Sequence, residues 1–131
     1  MSKQMTIRKA TIDDKPYMTQ IYMEINADTI IKFDILKHKD VLSNTFVAME
    51  NSEVIGFILA EPAKTCYIVQ YVCVTKTHEH KGIAGLLLSK IKEKARRYNK
   101  PIYLHHDKSL SEFYKKKGFG ICDDMRVACY L

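Results

Sequence analysis

The stretch from Cys66 to Tyr98 constrains the fold most, because the hydrophobic period changes inside it. Its opening residues, C-Y-I-V-Q-Y-V-C-V, are rich in Val, Ile, Tyr and Cys and contain neither Gly nor Pro, which predicts a mostly buried strand. A polar turn, T-K-T-H-E-H-K, follows. From Gly82 onward Ile83, Leu86, Leu87, Ile91, Ala95 and Tyr98 fall at helical spacing, while lysines, arginines and Glu93 take the other side, which predicts an amphipathic helix. Gly82 and Gly85 open that helix, with Ser89 a turn later, and a Gly inside a helix costs about 1 kcal/mol relative to Ala. Something must therefore approach this backbone closely. One reading is a phosphate, held by N–H groups that lack helical partners and by the positive end of the helix dipole. The other is that the glycines only let the helix pack tightly on a sheet. Neither G-x-x-x-x-G-K-S/T nor G-x-G-x-x-G is present, which argues against a P-loop and a dinucleotide fingerprint.

The 131 residues are expected to form one domain, residues 1–131, with the 47% apolar and 27% charged content of soluble globular proteins. No apolar run approaches the ~18 residues of a membrane span. The N-terminal M-S-K-Q-M-T-I-R-K lacks the apolar core of a signal peptide, so a cytoplasmic location is expected. Cys66, Cys73, Cys122 and Cys129 show no C-x-x-C spacing and read as reduced, buried thiols. The net charge of +6 is unevenly placed: from Lys76 to Lys117 twelve Lys/Arg stand against four Asp/Glu, a local balance of +8, so the remainder sums to −2. A solvated helix face explains much of that excess; an anionic cofactor or a nucleic acid are the alternatives.

Along the rest of the chain, Thr6–Ala10 predicts a strand, Asp13 a helix N-cap, and Met18, Ile21, Tyr22 and Ile25 the buried side of the first helix. Asn26–Ser43 reads as a short helix plus loop. Thr45–Met49 and Val54–Glu61 form a hairpin around Asn51 and Ser52, and Pro62–Thr65 turns the chain into the Cys66 strand, so three strands make an antiparallel meander. Asn99–Pro101 ends the long helix, and Ile102–His105 then runs parallel to the last meander strand. Ser109 and Glu112 are spaced as a capping box, Leu110, Phe113 and Tyr114 share the buried face that follows, and Gly118 stops the helix. Phe119–Gly120 and Met125–Leu131 complete the sheet, with Asp123 and Asp124 in a turn.

Taken together, the strand, E-H-K-G-I-A-G-L-L-L and D-K-S-L-S-E-F-Y-K-K-K-G-F resemble the GNAT superfamily of acetyl-CoA-dependent N-acetyltransferases. In the family's Q/R-x-x-G-x-G/A motif, Gly82 and Ala84 match while Glu79 replaces the leading Gln or Arg; His80, Lys81 and Ile83 fill the open positions. In N-x-x-A-x-x-x-Y-x-x-x-G-F, Asp107 stands for the Asn and Leu110 for the Ala, while Tyr114, Gly118 and Phe119 match. The resemblance implies an α+β fold with a mixed, mostly antiparallel twisted sheet of six to seven strands flanked by about four helices. It implies that backbone groups of Val72, Cys73 and Val74 pair with the pantetheine arm of acetyl-CoA, that amides of Glu79, His80, Lys81, Gly82, Ile83, Ala84 and Gly85 wrap the diphosphate, and that Asp107 and Tyr114 also border the cofactor.

The implied reaction is attack of a neutral primary amine, on a small molecule or a protein, on the thioester carbon. N–H donors such as those of Val72 or Val74 would stabilise the carbonyl oxygen, and Tyr114 is the candidate general acid for the departing thiolate, although a core tyrosine beside Phe113 is the competing reading. Many family members carry a Glu base where this chain has Ile68. Substitutes are Glu61, Tyr67, His105 and His106, of which histidine has the most suitable pKa. His78/His80 and His105/His106 lack metal-ligand spacing, so no metal is expected. A catalytically weak acyl-CoA-binding module is the alternative function. Membrane and nucleic-acid partners are not expected, and the chain reads as a monomer or homodimer.

Overall fold

The computed structural model describes residues 5–25, 39–106, 108–122 and 127–130. In chain order these form β1 (Met5–Lys9), a 3₁₀ turn (Ile12–Asp14) running into α1 (Lys15–Ile25), α2 (Lys39–Leu42), β2 (Phe46–Glu50), β3 (Glu53–Pro62), β4 (Tyr67–Val74), α3 (Ile83–Tyr98), β5 (Ile102–His105), α4 (Ser111–Lys116), β6 (Gly120–Cys122) and β7 (Val127–Tyr130). Seven strands make one sheet in the order β1-β2-β3-β4-β5-β7-β6. All neighbours are antiparallel except β4 and β5, which α3 joins as a crossover. The mixed, mostly antiparallel architecture expected from the sequence is the one found.

Local chemistry accounts for the joints. Asn51 and Ser52 both adopt positive φ, 52° and 70°, the backbone hand that a two-residue hairpin between right-twisted strands requires. Asn99 closes α3 at φ 53°, and the Lys100 N–H reaches back to the Ala95 carbonyl at 2.9 Å. Gly118, at φ 90°, stops α4 as expected.

Each sheet face carries its own core. Ile83, Leu87, Leu88, Ile91 and Ala95 of α3 pack with Ile58, Ala60, Tyr67, Val69, Ile102, Leu104 and Ala128 on one face. Met18 and Ile21 of α1 and Val41 of α2 pack with Val47, Phe57, Leu59 and Cys73 on the other. Cys73 is buried, Cys66 and Cys129 are half-buried, and all three are free thiols.

Four local expectations are corrected. The buried stripe of α3 runs through Leu88 rather than Leu86, which is 44% exposed, and Tyr98 at the helix end is 57% exposed; the sheet covers a narrower arc than the sequence stripe spans. The first helical turn begins after Thr11 rather than at Asp13: the Asp14 carboxylate accepts the Thr11 N–H at 2.8 Å and a bidentate pair from Arg8 at 2.8 and 2.9 Å. The Arg8 guanidinium beside it holds the Asp14 carboxyl below its ordinary range, more than offsetting its burial. The capping box at Ser109 does not form, because a 3₁₀ turn over Lys108–Leu110 leads into α4 and its N-cap is Leu110. Leu110 is accordingly 45% exposed, whereas Tyr114 is buried and Phe113 half-buried. Residues 26–38 of the segment read as helix plus loop, and the turn at Asp123 and Asp124, lie outside the described residues. Among the described residues no helix is long and apolar enough to cross a membrane.

One glycine shapes the centre of the sheet. A Cβ on Gly56 would lie 2.9 Å from the Cys73 carbonyl oxygen and 3.3 Å from Val74 Cγ2, so β3 and β4 approach closely only because that atom is missing. Gly56→Ala is expected to cost about 1–3 kcal/mol, the usual range for overpacking, read as a lower urea midpoint at unchanged slope.

Candidate active site

The sheet opens at β4. Its pairing with β5 covers only Tyr67, Ile68 and Val69, opposite Ile102, Tyr103 and Leu104, whereas its pairing with β3 continues to Val74. Between those two stretches the register with β3 shifts, leaving Gln70 as an extra residue. The shift changes which residues face which layer: Tyr67 and Val69 point into the α3 core before it, Val72 and Val74 after it, while Tyr71 and Cys73 point toward α1. A bulge bends and twists its strand, and here the bend falls where β4 parts from β5. The Thr75 N–H donates to Ile55 of β3 at 2.9 Å. Backbone alternation then aims the N–H and C=O groups of Val72 and Val74 away from β3, into the open side of the split, with those of Cys73 turned toward β3.

Beyond β4 the chain makes a 3₁₀ turn over Lys76–His78 and then bends sharply, with His80 at φ 63° and Gly82 at φ 79°, before α3 begins. The first helical bond runs from the Leu86 N–H to the Gly82 carbonyl at 3.2 Å, so the amides of Ile83, Ala84 and Gly85 have no acceptor within the helix. The two glycines have different reasons. Nothing lies within 4 Å of a Cβ built on Gly82, which faces open space and is required by its left-handed backbone. At Gly85 the Lys117 Nζ lies 2.8 Å from such a Cβ. The close approach inferred from the sequence is therefore real at Gly85, and a lysine side chain makes it. Glu79, His80 and Lys81 are exposed, while Ile83 is buried in the α3 core.

Tyr114 projects from α4 into the same region. Its ring lies 5.0 Å from Phe113, 5.6 Å from Phe119 and 5.0 Å from His106, centroid to centroid. Burial pushes its hydroxyl up to about 12, with a smaller contribution from the Cys73 thiol, which is itself pushed up to about 12 by burial. The structure thus brings together Tyr114, His106, Cys73 and the open edge of β4. Glu61, on β3, stands opposite Ile68 on the α1 face and accepts a hydrogen bond from Gln70 Nε2 at 3.1 Å, at the point where β4 parts from β5. Tyr67 is buried in the α3 core and is held protonated by its desolvation. His105 ends β5, with its side chain outside what the structure describes, as is all of Asp107. Among the described residues no group of three or more His, Cys, Asp and Glu is placed to hold a metal ion.

The family model described as an acetyltransferase (GNAT) domain matches residues 42–121. The chain belongs to the GNAT acetyltransferases. No curated protein matches it significantly by sequence. Among solved structures, this GNAT domain is similar to Arabidopsis thaliana Naa50 in complex with the bisubstrate analogue CoA-Ac-MVNAL (17% identity, 97% of this chain and 98% of that one, TM-score 0.81). It is also similar to Ard1 from Thermoplasma volcanium (20%, 95% and 94%, 0.78) and to the ribosomal-protein-S18-alanine N-acetyltransferase of Escherichia coli (14%, 97% and 93%, 0.80). At these identities the likeness is one of fold.

Two groups of residues bordering the GNAT site escape a reading of the sequence. Lys117 looks like one of three lysines at a helix C-terminus, yet its ammonium lies beside the first turn of α3 and 5.6 Å from the Phe113 ring, with no carboxylate paired to it among the described residues. The second group anchors the turn before α3: the Lys76 N–H donates to Glu24 Oε1 of α1 at 3.0 Å, and His78 Nε2 bonds Glu50 Oε1 of β2 at 3.1 Å. These partners lie 52 and 28 residues away, and no local pattern announces them.

Proposed function

We propose that this GNAT domain transfers the acetyl group of acetyl-CoA to a primary amine, of a small molecule or a protein, by direct attack. The observation that carries the reading is the open edge of β4 at Val72 and Val74 leading into an amide-rich turn at the N-terminus of a long helix. An extended pantetheine arm can add along that edge as a further strand, and the diphosphate then falls at residues 79–85. The Ile83–Gly85 amides and the Lys117 ammonium supply positive charge there, while Gly82 leaves the space open. Glu79 is exposed, and its N–H already donates to the Lys76 carbonyl at 3.4 Å, so its contribution to that cradle is small.

The amine nitrogen, freed of its proton, forms a bond to the thioester carbon, and the carbonyl electron pair moves onto oxygen, where the Val72 or Val74 N–H can receive it. Collapse of that adduct breaks the C–S bond, the nitrogen gives up its remaining excess proton, and the thiolate gains one, leaving an amide and free CoA. Tyr114 donates a hydrogen bond to the departing sulfur. His106, against the Tyr114 ring, and Glu61, on the α1 face from which an acceptor would approach, are the candidate proton acceptors. Peptide-bearing and protein substrates in the names of similar structures support a protein amino group among the acceptors. A second reading, an acyl-CoA-binding module with weak turnover, is favoured by Ile68, an apolar side chain at the family's usual base position.

Calorimetric titration with CoA and acetyl-CoA, followed by thiol-release assays on a panel of small amines and N-terminal peptides, tests both readings. Binding with turnover supports the enzyme, and binding without turnover on any amine supports the module. No binding of any acylated CoA overturns both.

A further inference from the structure

The residues placed against the diphosphate cannot hold their own shape. His80 and Gly82 both occupy the left-handed region, which for a non-glycine residue persists only where its surroundings impose it. Along the turn the described backbone bonds stop at the Glu79 N–H to the Lys76 carbonyl, 3.4 Å, and resume at the Leu86 N–H to Gly82. The downstream end is fixed by Ile83, buried in the α3 core. The upstream end must be fixed by the 3₁₀ turn at Lys76–His78.

That turn is tied to three elements. Thr75 N–H bonds β3, and the Lys76 N–H bonds Glu24 of α1. His78 supplies the third tie: its Nε2 lies 3.1 Å from Glu50 Oε1, and its Nδ1 lies 2.8 Å from Thr75 Oγ1 and 3.0 Å from Thr77 Oγ1. A carboxylate only accepts, so Nε2 carries the proton toward Glu50, and both ring nitrogens are engaged. The pair is sheltered, with the His78 and Glu50 side chains 16% and 15% exposed. One imidazole thus joins the end of β2 to two hydroxyls of the segment that enters the diphosphate turn.

We propose that His78 is a positioning residue for the cofactor: through Glu50 and the Thr75 and Thr77 hydroxyls it sets the entry angle of residues 79–85 and so the alignment of their amides on the diphosphate. This rests on the acetyl-CoA reading above. His78 does not touch the reacting atoms. Its loss therefore shows in affinity for the cofactor while the thioester chemistry continues once the cofactor is bound.

The test is calorimetric titration of CoA into the full chain carrying His78→Ala or His78→Gln, with melting temperature and steady-state kinetics alongside. In His78→Ala the Kd for CoA and the KM for acetyl-CoA are expected to rise about tenfold or more, with kcat at saturation within about twofold of wild type. His78→Gln places an amide nitrogen where Nε2 stood, keeps the bond to Glu50, and is expected to restore most of the affinity. Should His78→Ala fail to fold, His78→Asn takes its place with the same expected loss, since its shorter amide reaches Thr75 but not Glu50. Wild-type affinity in the alanine or asparagine variant overturns the proposal, as does a loss that glutamine does not relieve. If the unmodified chain itself does not bind CoA, the acetyl-CoA reading fails first, an outcome distinct from a wild-type chain that binds and a variant that binds equally well.

Discussion

Tyr114→Phe is expected to lower kcat for acetyl transfer by about 10²-fold, close to 2.7 kcal/mol of barrier, while leaving the KM for acetyl-CoA and the melting temperature near wild type. The ring fills a pocket between Phe113, Phe119 and His106, and phenylalanine preserves that packing, so the variant isolates the hydroxyl. The predicted size follows from the environment. With the hydroxyl pushed up to about 12, it stays protonated across the working range, yet full release of its proton to a thiolate of ordinary acidity, near pKa 8.5, is uphill. In the proposed reaction Tyr114 would then act by donating a hydrogen bond to the sulfur as charge develops there, a contribution at the lower end of general-acid effects. Any loss of rate below pH ~9 must come from another group, since Tyr114 does not titrate there. Retention of kcat within about twofold in Tyr114→Phe would return the residue to a purely packing role.

Gly82 is the second position where a large effect is expected. Its φ of 79° penalises any side chain, but space above it is open, so a Cβ meets no protein atom. If that space belongs to the diphosphate, Gly82→Ala and Gly82→Asn should both weaken CoA binding by about 10²-fold, the penalty for misplacing a bound group by an ångström. Asparagine tolerates the left-handed backbone better than alanine. Melting temperatures should accordingly rank glycine, asparagine, alanine, while both substituted chains lose CoA affinity alike. Affinity that tracks melting temperature instead would assign Gly82 to the backbone alone.

The parts of this fold that could be read from the sequence are those whose causes are local. The change of period at Gly82, the Asn51-Ser52 turn and Gly118 each announce an element through a few neighbouring residues, and the structure has each where it was expected. Ser109 and Glu112 carried the spacing of a capping box, but the 3₁₀ turn over Lys108–Leu110 moved the helix start past it. Charge was harder to read. Lys92 and Lys94 counted toward a solvated helix face, yet Lys92 Nζ bonds the Lys117 carbonyl and lies over the Phe119 and Tyr130 rings, while Lys94 Nζ bonds the Ser43 carbonyl at 2.9 Å and Asn44 Oδ1 at 2.7 Å. Long side chains lay their methylenes along a core and spend their head groups on carbonyls many residues away, which no spacing rule detects. The candidate site divides similarly: the turn and Tyr114 lie on motifs, whereas Lys117, Glu24 and Glu50 arrive through tertiary contact.

Gln70 looks like the most dispensable residue of its strand, a solvent-facing amide in an apolar run. As the odd member that β3 does not match, it acts as a phase-shifter. Delete it, and Val69 opposite Ala60 runs straight on to Tyr71 opposite Leu59 with every side chain keeping its face, but the bulge goes, and with it the bend that parts β4 from β5. The length of this segment is thus under tighter constraint than its composition, and a variant can change what Gln70 is far more cheaply than whether it is there.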